Sequence, residues 1–373
     1  MIKNNRLGFQ KLSQSGLISS IFAIIIGLLV GFLILLLSNP EQATQGFVTI
    51  LTGAFSEGSK GIGQVLYYAT PIICTGLAVG FAFKTGLFNI GASGQFMVGA
   101  LAAVAVGITM KSLGGLHWVV ALLAAVIAGA LWALIPGALK AFANINEVIA
   151  CIMTNYIGMY LVNWMVKDIP ALFNQMENRS KPIERTATIP RAGLDQIFQG
   201  SYVNLGIIIA IGAAILIYIV LSKTTFGYEL KAVGFNRDAS KYAGINEKKS
   251  IILSMTISGA LAGLGGGLFY LAGSGKYIEV IDELATEGFD GISVALLGLS
   301  HPIGILLAAI FIAYIKQGGF YLQLYEFSNE IIDIIIAVII YFSAFSMIVR
   351  AFFDKRNRKK RGRVSKKLKG EQG

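Results

Sequence analysis

Long apolar runs, broken by charges, glycines and prolines, dominate the chain and predict helices that cross a membrane. The first run, residues 17–37, would be about 30 Å long as a helix, which is enough to span a bilayer. It is too long for the core of a signal peptide, so we expect it to be retained. The predicted spans are 17–37, 62–83, 87–107, 118–139, 147–166, 204–222, 250–272, a short pair at 289–299 and 302–316, and 328–350.

Two of these helices, 289–299 and 302–316, are short for full spans. Pro302 removes a backbone donor and disfavours helix at His301, so we predict two short or half-buried helices that meet at a break. Irregular backbone survives at membrane depth only where protein or a water-filled cavity surrounds it. Similar glycine-broken segments at 86–99 and 286–304 indicate a faint internal repeat. The pattern as a whole predicts an all-α polytopic membrane protein with about ten membrane segments.

A polar loop at residues 223–249 separates the sixth and seventh predicted helices and carries six lysines and arginines. Asn236 is suited to cap a helix whose first turn contains Asp238. Because cytoplasmic loops are rich in basic residues, this loop is predicted to be cytoplasmic. A short helix held there is what a membrane subunit needs if a soluble partner drives it.

A second long polar loop, residues 167–203, contains three prolines and is predicted on the outer face. Loops of such length are usually functional or disordered. It could receive a soluble partner there, and a plain connector is an equally good interpretation.

Composition supports membrane insertion, because the chain is 55% hydrophobic and only 14% charged, against about 25% charged in a soluble domain. Much of the net charge of +11 lies in the C-terminal tail. We expect the tail to meet anionic lipid rather than nucleic acid, since no aromatic platform accompanies it. The positive-inside rule places both termini in the cytoplasm. The expected organisation is a cytoplasmic segment at 1–16, a transmembrane domain at 17–350 in the cell membrane, and a basic cytoplasmic tail at 351–373.

Polar side chains within the apolar regions are the candidates for a substrate path. The stretch GLFNIGASGQFMVG at 86–99 carries Asn89, Ser93 and Gln95 among glycines. An unpaired polar group at membrane depth costs roughly 2–7 kcal/mol, so these side chains must find partners or water. They could form the wall of a path or hydrogen bonds between helices, and the sequence favours neither interpretation.

Four further path candidates lie on other helices. Asn146 is a plausible N-cap, and Glu147 in the following first turn could simply stabilise that helix start. Thr154 and Asn155 lie about two turns further on and could face the path. Asp290 is predicted to begin the first short helix, where it could cap the helix or stand at the mouth of the path.

Other features predict structure rather than chemistry. Gly259, Gly263 and Gly267 recur every fourth residue, which is typical of closely packed membrane helices. The two cysteines and two histidines are read as buried or structural residues, because they lack metal-ligand spacing. The chain has no phosphate-binding loop, proton-relay carboxylate pair, voltage-sensor helix or channel-filter motif. No catalytic residue, cofactor or metal is therefore predicted, and any driving energy is expected from another subunit.

Four stretches carry a resemblance to a known class. GLFNIGASGQFMVGA at 86–100, FGYELKAVGFNRDASKYAGIN at 226–246 and GFDGISVALLGLSHPIGILLAA at 288–309 resemble permease subunits of ATP-binding cassette importers. The group is the one that includes branched-chain amino acid and simple-sugar permeases. NEVIACIMTNYI at 146–157 is most similar to nucleoside permeases that work with lipoproteins of the basic membrane protein family.

The resemblance implies a fold similar to the vitamin B12 and ribose permeases. It also implies three kinds of partner: a second related permease forming a heterodimer, two copies of an ATP-binding subunit, and an extracellular substrate-binding lipoprotein. The cytoplasmic loop would be a coupling helix seated in a cleft of the ATPase. Relatives more often carry an arginine near residues 228–231, where this chain has Tyr-Glu-Leu-Lys. The implied coupling residues are Glu229, Gly234, Asn236, Asp238, Lys241 and Gly244.

The function expected from this resemblance is nucleoside import across the cell membrane, driven by a partner ATPase. The alternatives are a permease for a simple sugar such as ribose, a secondary transporter driven by an ion gradient, and a channel or membrane scaffold. The missing carboxylate relay counts against the gradient-driven transporter, and a scaffold would leave the patterned cytoplasmic loop without a purpose.

Overall fold

The computed structural model describes residues 21, 24–328, 330–339 and 341–342, and it is mostly helical. The predicted segments at 1–16 and 351–373 lie outside the described residues. Short 3-10 turns lie at Lys111–Leu116, Arg185–Ala187 and Tyr321–Tyr325. The α-helices are α1 (Ile24–Ser38), α2 (Ala43–Ser56), α3 (Ser59–Lys84), α4 (Ala92–Thr109), α5 (His117–Ala143), α6 (Glu147–Asp168), α7 (Leu194–Ile197), α8 (Gly206–Lys223), α9 (Thr225–Phe235), α10 (Arg237–Tyr242), α11 (Glu247–Tyr270), α12 (Thr286–Leu297) and α13 (Pro302–Phe320), and residues 330–339 are also helical.

Seven of the described helices are long and apolar enough to cross a membrane: α3, α4, α5, α6, α8, α11 and α13. Helix α1 is apolar but shorter. The larger number of spans expected from the sequence includes α1, α12 and the region after residue 328, which are shorter or only partly described. The prediction of a polytopic helical membrane protein is confirmed.

Contacts divide the described residues into two units, one of residues 50–321 and one of those that precede residue 50 or follow residue 321. Within the second unit, Gly27 and Gly31 lie against Ile339 and Ile335. A Cβ atom at Gly31 would come within 3.0 Å of Ile335, so the two glycines let α1 pack closely on the helix at residues 330–339.

The larger unit is built around α11, whose glycines contact α5 and α4. A Cβ atom at Gly263 would lie 2.3 Å from the carbonyl oxygen of Ala125 and 3.0 Å from Gly129 Cα. Gly266 approaches the Phe96 carbonyl oxygen on α4 in the same way. The close packing predicted from the glycine repeat is thus confirmed, and it depends on small residues on both partner helices.

The segment between α3 and α4 corrects one predicted boundary. The sequence predicts a helix over 87–107, but residues 85–91 are not helical and α4 begins only at Ala92. Helix α3 ends because Gly86 adopts a left-handed backbone with φ of 75°, a conformation that glycine reaches without steric cost. Asn89 therefore lies on irregular backbone rather than on a helix.

The predicted short pair is half right. Helix α12 is short, and Leu299 and Ser300 both have positive φ at the break that follows it. Helix α13, however, runs from Pro302 to Phe320 and is long enough to cross the membrane alone. The expectation that Asp290 begins the first helix is wrong, because α12 begins at Thr286, a full turn earlier.

The long connection between α6 and α8 is tied to its neighbours. The hairpin of β1 (Phe173–Asn174) and β2 (Arg179–Ser180) is antiparallel, with Phe173 opposite Ser180. Glu184 donates its backbone N–H to the Gly107 carbonyl. Its carboxylate lies 2.8 Å from the Lys111 ammonium, and the hydrogen bond and charge of that lysine lower the pKa of Glu184. The connection is an ordered surface rather than a slack linker.

Candidate functional site

Polar residues of the 86–99 stretch take part in a buried hydrogen-bond network with a serine of α11. We call the network of Asn89, Gln95 and Ser258 the Asn89 knot. The Asn89 amide nitrogen donates to Gln95 Oε1 and to Ser258 Oγ, both at 2.7 Å. Its carbonyl oxygen accepts from Gln95 Nε2 and from the Gly91 backbone N–H, both at 3.0 Å. Ser258 in turn donates to the Ala78 carbonyl. The knot joins the irregular segment 85–91 to α3, α4 and α11.

Asn155 extends this connection to α6. Its side-chain oxygen accepts from the Gly94 backbone N–H at 2.9 Å, and its amide nitrogen donates to the Ile90 carbonyl at 3.0 Å. Thr154 bonds back to the Cys151 carbonyl within its own helix. Asn155 therefore satisfies backbone groups that the break before α4 would otherwise leave unpaired.

Ser93 makes the equivalent connection to α12. Its hydroxyl donates to the Ala285 carbonyl at 2.7 Å. A Cβ atom at Gly288 would lie within 2.3 Å of Ser93 Cα. The first turns of α4 and α12 consequently touch backbone to backbone, at a contact that only glycine permits.

All five of these path candidates are buried and bonded to protein: Asn89, Ser93, Gln95, Thr154 and Asn155. The geometry matches the interhelical bonding that the sequence left open as one of two interpretations. Their role in lining a path stays a prediction.

Glu147 and Asp290 lie elsewhere, and both pair with a lysine. Asn146 caps α6 as predicted, accepting from the Val148 backbone N–H. Glu147 in the following turn lies 2.8 Å from Lys140 of α5. Asp290 lies 2.5 Å from Lys316 of α13. The sequence did not single out Lys316, because it was read as the charge that ends an apolar run.

The Asp290–Lys316 ion pair borders a cavity of about 210 Å³ between α3, α11, α12 and α13. Three aromatic rings, Tyr68, Phe269 and Phe320, line it together with Glu287 and Gln317. Charged groups inside a membrane bundle are rare and usually mark a functional site. This is the one place among the cavities described here where a path candidate from the sequence borders open space.

The cytoplasmic loop predicted between two spans is helical. Helices α9 and α10 connect α8 to α11. The buried side chains of Leu230 and Val233 pack α9 against the bundle. The Asn236 side chain accepts from the Ala239 backbone N–H at 3.0 Å, which confirms the predicted N-cap. The six predicted coupling residues all lie exposed on this connection: Glu229, Gly234, Asn236, Asp238, Lys241 and Gly244.

Three aromatic residues of this connection were missed by the sequence reasoning. Phe235 is 90% exposed, Tyr242 is 95% exposed, and Tyr228 is also exposed. Contiguous exposed apolar patches mark interaction sites, whereas single exposed rings are common, so these three rings are candidates for a partner contact. Their signal in the sequence was an aromatic residue every seven positions within a polar loop.

Helix α9 also touches the start of the irregular segment. A Cβ atom at Gly234 would lie 2.6 Å from the Thr85 carbonyl carbon and 2.7 Å from the Gly86 nitrogen. Thr85 is hydrogen-bonded to Ser254 of α11. The two glycines thus bring the backbone of α9 directly onto the segment that leads to the Asn89 knot.

Comparison with known proteins adds the family context. The family described as branched-chain amino acid transport system permease component matches residues 61–344. The chain is 40% identical to the guanosine ABC transporter permease protein NupP of Bacillus subtilis, over 92% of this chain and 98% of that protein. It is 33% identical to the glucose ABC transporter permease protein TsgB13 of Haloferax volcanii, over 83% and 80%. It is 30% identical to the guanosine ABC transporter permease protein NupQ of Bacillus subtilis, over 69% and 80%. No solved structure matches the chain.

Proposed function

Because the chain belongs to the branched-chain amino acid transport system permease family, we propose that it is the membrane permease subunit of an ATP-driven nucleoside importer. The similarity to the guanosine permease NupP over nearly both full lengths supports the substrate class. The chain would not hydrolyse ATP itself, since the sequence carries no phosphate-binding loop.

One observation carries the assignment to a driven permease. The connection α9–α10 consists of two short helices between two spanning helices, with buried apolar residues on one side and exposed rings on the other. We infer that its exposed residues, Asn236, Asp238 and Lys241 with the rings of Phe235 and Tyr242, engage the ATP-binding subunit. ATP binding by that subunit would move the connection, and hydrolysis would reset it, as a population shift between two states of the bundle.

The direct Gly86–Gly234 contact offers a route for this movement into the bundle. Beyond it lie the Asn89 knot and Asn155, and then the cavity beside Asp290. We propose that displacement of segment 85–91 loosens these hydrogen bonds and opens the path between this chain and its partner permease. Asn89, Ser93, Gln95, Glu147, Thr154, Asn155 and Asp290 are the proposed path residues.

The proposed partners follow from the family and from the relatives. NupP and NupQ are both named guanosine permease proteins of one organism, which supports pairing with a second, related permease. An ATP-binding subunit, a substrate-binding lipoprotein on the outer face and membrane lipid complete the set. We place both termini in the cytoplasm, with about ten membrane segments arranged as in the vitamin B12 and ribose permeases.

A specific observation keeps a sugar substrate as the second candidate. The similarity to the glucose permease TsgB13 is lower but still extends over most of both chains. Ribose is also the sugar of guanosine and the other ribonucleosides. The two candidates differ in whether the base is required for recognition.

Reconstitution tests the proposal. The permease, its partner permease, the ATP-binding subunit and the lipoprotein are placed in vesicles, and uptake of labelled guanosine is followed with ATP. We expect uptake that needs ATP, is unaffected by ionophore, and is competed by nucleosides better than by ribose or glucose. Uptake without the ATP-binding subunit, or equal competition by glucose, would refute the assignment.

A second arm tests the coupling role. Replacing Asn236–Tyr242 with a Gly/Ser linker should abolish uptake, while the amount of permease in the membrane stays unchanged. Normal transport by this variant would show that α10 does not transmit the movement.

A further inference from the structure

An outer groove lies beside the C-terminal half of α6, and neither the coupling element nor the path candidates account for it. Its volume is about 650 Å³, within the range of about 300–1,000 Å³ usual for small-molecule sites. Residues Tyr160 to Asp168 of α6 form one wall, and Val280 and Asp282, before α12, form the other. We call this cavity the outer groove.

Asn163 is the most informative residue of the outer groove. Its side-chain nitrogen donates to the Ile281 carbonyl at 2.8 Å and to Asp282 Oδ1 at 2.9 Å. Both neighbours are acceptors, so they fix which end of the amide faces them. The residue is only 7% exposed, and its side-chain oxygen has no hydrogen-bond partner in the part of the chain that the structure describes.

A buried acceptor without a donor costs about 1–3 kcal/mol. Buried polar groups in folded proteins nearly always have a partner, which can be a protein group, an ordered water or a bound molecule. The Asn163 oxygen therefore calls for a ligand that presents an N–H or O–H group. The edges of the common nucleobases all carry N–H donors, which suits this acceptor.

Two aromatic rings stand on the same wall. Tyr160 and Trp164 are one helical turn apart and are 55% and 61% exposed. The exposed face of α8, by contrast, is aliphatic and includes Ile208, Ile215 and Ile219, as a lipid-facing surface would be. Aromatic rings also anchor helices at the membrane interface. Anchoring alone, however, does not explain the buried acceptor and the carboxylates beside these rings.

Charged groups complete the outer groove, whose lining holds the carboxylates of Asp168 and Asp282 and the ammonium group of Lys167. Asp282 contributes one carboxylate oxygen to Asn163, and Asp168 lies one turn beyond Trp164 on the groove wall. Carboxylates accept hydrogen bonds from pairs of hydroxyl groups such as those of ribose. Rings for a base, an acceptor for its edge and carboxylates for a sugar thus converge on one cavity.

We propose that the outer groove is a recognition subsite for an intact nucleoside, holding it before it enters the path. The base stacks on Trp164 and Tyr160, its N–H edge donates to the Asn163 oxygen, and the ribose hydroxyls donate to Asp282 and Asp168. This inference rests on the proposed function and specifies which part of the chain reads the substrate.

Intrinsic fluorescence of Trp164 in the reconstituted complex provides the test. The chain has three tryptophans, and the signal of Trp164 is obtained as the difference between the unmodified complex and Trp164→Phe. We expect uridine and guanosine to quench this difference signal in a saturable way, and ribose or glucose to leave it unchanged. Equal quenching by sugars, or none by nucleosides, would overturn the proposal.

Variants sharpen the test. Trp164→Ala should weaken nucleoside binding by about 5- to 150-fold, the range expected for loss of one stacking ring, and Trp164→Tyr should restore most of it. Ile215→Ala on the aliphatic face of α8 is the matched control and should bind normally. A photoreactive group at Trp164 that captures the second permease would show instead a subunit interface, which would also overturn the proposal.

The two hypotheses fail separately. If the complex imports nucleosides with ATP while Trp164→Ala binds them normally, the outer groove is not the subsite and the proposed function stands. If the complex imports sugars only, the proposed function fails and the nucleoside subsite with it.

Discussion

Gly234→Ala is the sharpest perturbation of the route from the α9–α10 connection to the bundle. The new Cβ atom would lie 2.6 Å from the Thr85 carbonyl carbon, whereas ordinary contacts begin at 3.4 Å. Helix α9 and segment 85–91 would have to separate by roughly 0.8 Å, and overpacking of this kind costs about 1–3 kcal/mol. The higher helix propensity of alanine relative to glycine offsets up to about 1 kcal/mol of this cost. A net penalty of up to about 2 kcal/mol corresponds to roughly a 30-fold shift between two states.

The expected result is ATP-dependent guanosine uptake reduced by up to that factor, with the ATP-binding subunit still co-purifying. The reason is that the substitution leaves the exposed face of α9–α10 unchanged and alters only the contact of α9 with Thr85 and Gly86. Uptake into proteoliposomes, ATP hydrolysis and recovery of the complex are measured together.

Gly212→Ala is the matched control, since a Cβ atom at this α8 position meets nothing within 4 Å. It should transport normally. Unchanged uptake in Gly234→Ala, with normal amounts of protein, would show that the Gly86–Gly234 contact does not transmit movement. An equal loss in both variants would show that the effect is not specific to the contact.

Three further predictions concern the Asp290–Lys316 ion pair, the exposed rings of the α9–α10 connection, and the hydrogen bonds of Asn155. Lys316→Met should lower the free energy of unfolding by about 3–5 kcal/mol because it removes the positive charge that faces the largely buried carboxylate of Asp290. Lys316→Met with Asp290→Leu should recover most of the loss in thermal unfolding in detergent. Phe235→Ala with Tyr242→Ala should reduce co-purification of the ATP-binding subunit without lowering thermal stability, since both rings are almost fully exposed; unaltered co-purification would contradict the docking role. Asn155→Ala should destabilise the fold by about 2–3 kcal/mol through two lost backbone partners, whereas a changed substrate preference at normal stability would instead support its place on the path.

Local signals in the sequence were read correctly where the chemistry is local. The Asn236 and Asn146 caps depend on backbone groups two or three residues away, so the residue type and its position suffice. The glycine repeat of α11 is also visible in one segment, although its partners Gly129 and Ala125 on α5 are not. The short helix predicted after Asn236 followed from the same short-range pattern.

The misses have a common physical cause, which is that their energetics depend on distant partners. Lys316 was taken to end a span because an isolated lysine does not belong in one, but Asp290 pairs with it and α13 continues to Phe320. Helix α12 begins at Thr286 after Ala285, which offers no side-chain cap. The sequence therefore contains no N-cap signal at the start of this helix. Helix α2 was missed because its 14 residues are shorter than a span and include polar side chains.

The buried knot shows why polar residues in an apolar stretch were ambiguous. A path wall and an interhelical bond require the same amide side chains, and only the distances to Ser258 and Gly94 distinguish them. These distances also place the path candidates on the elements that must move if segment 85–91 moves. A side chain that closes the bundle in one state can line an opening in the other, so the bonded geometry and the transport role are compatible.

Helix α6 connects the proposed coupling route to the proposed nucleoside subsite, because it contacts segment 85–91 at Asn155 and the outer groove at Asn163. Segment 85–91 contacts α9 at Gly234. Asn155, about two turns from the start of α6, donates a hydrogen bond to that segment at the Ile90 carbonyl. Asn163 lies about two turns further along the same helix and faces the outer groove. Because α6 is a single uninterrupted helix from Glu147 to Asp168, a displacement at Asn155 must be carried to Asn163 unless the helix bends. A nucleoside held between α6 and Asp282 would then lose one wall of its subsite when ATP acts on α9, which is the order of events that an importer requires.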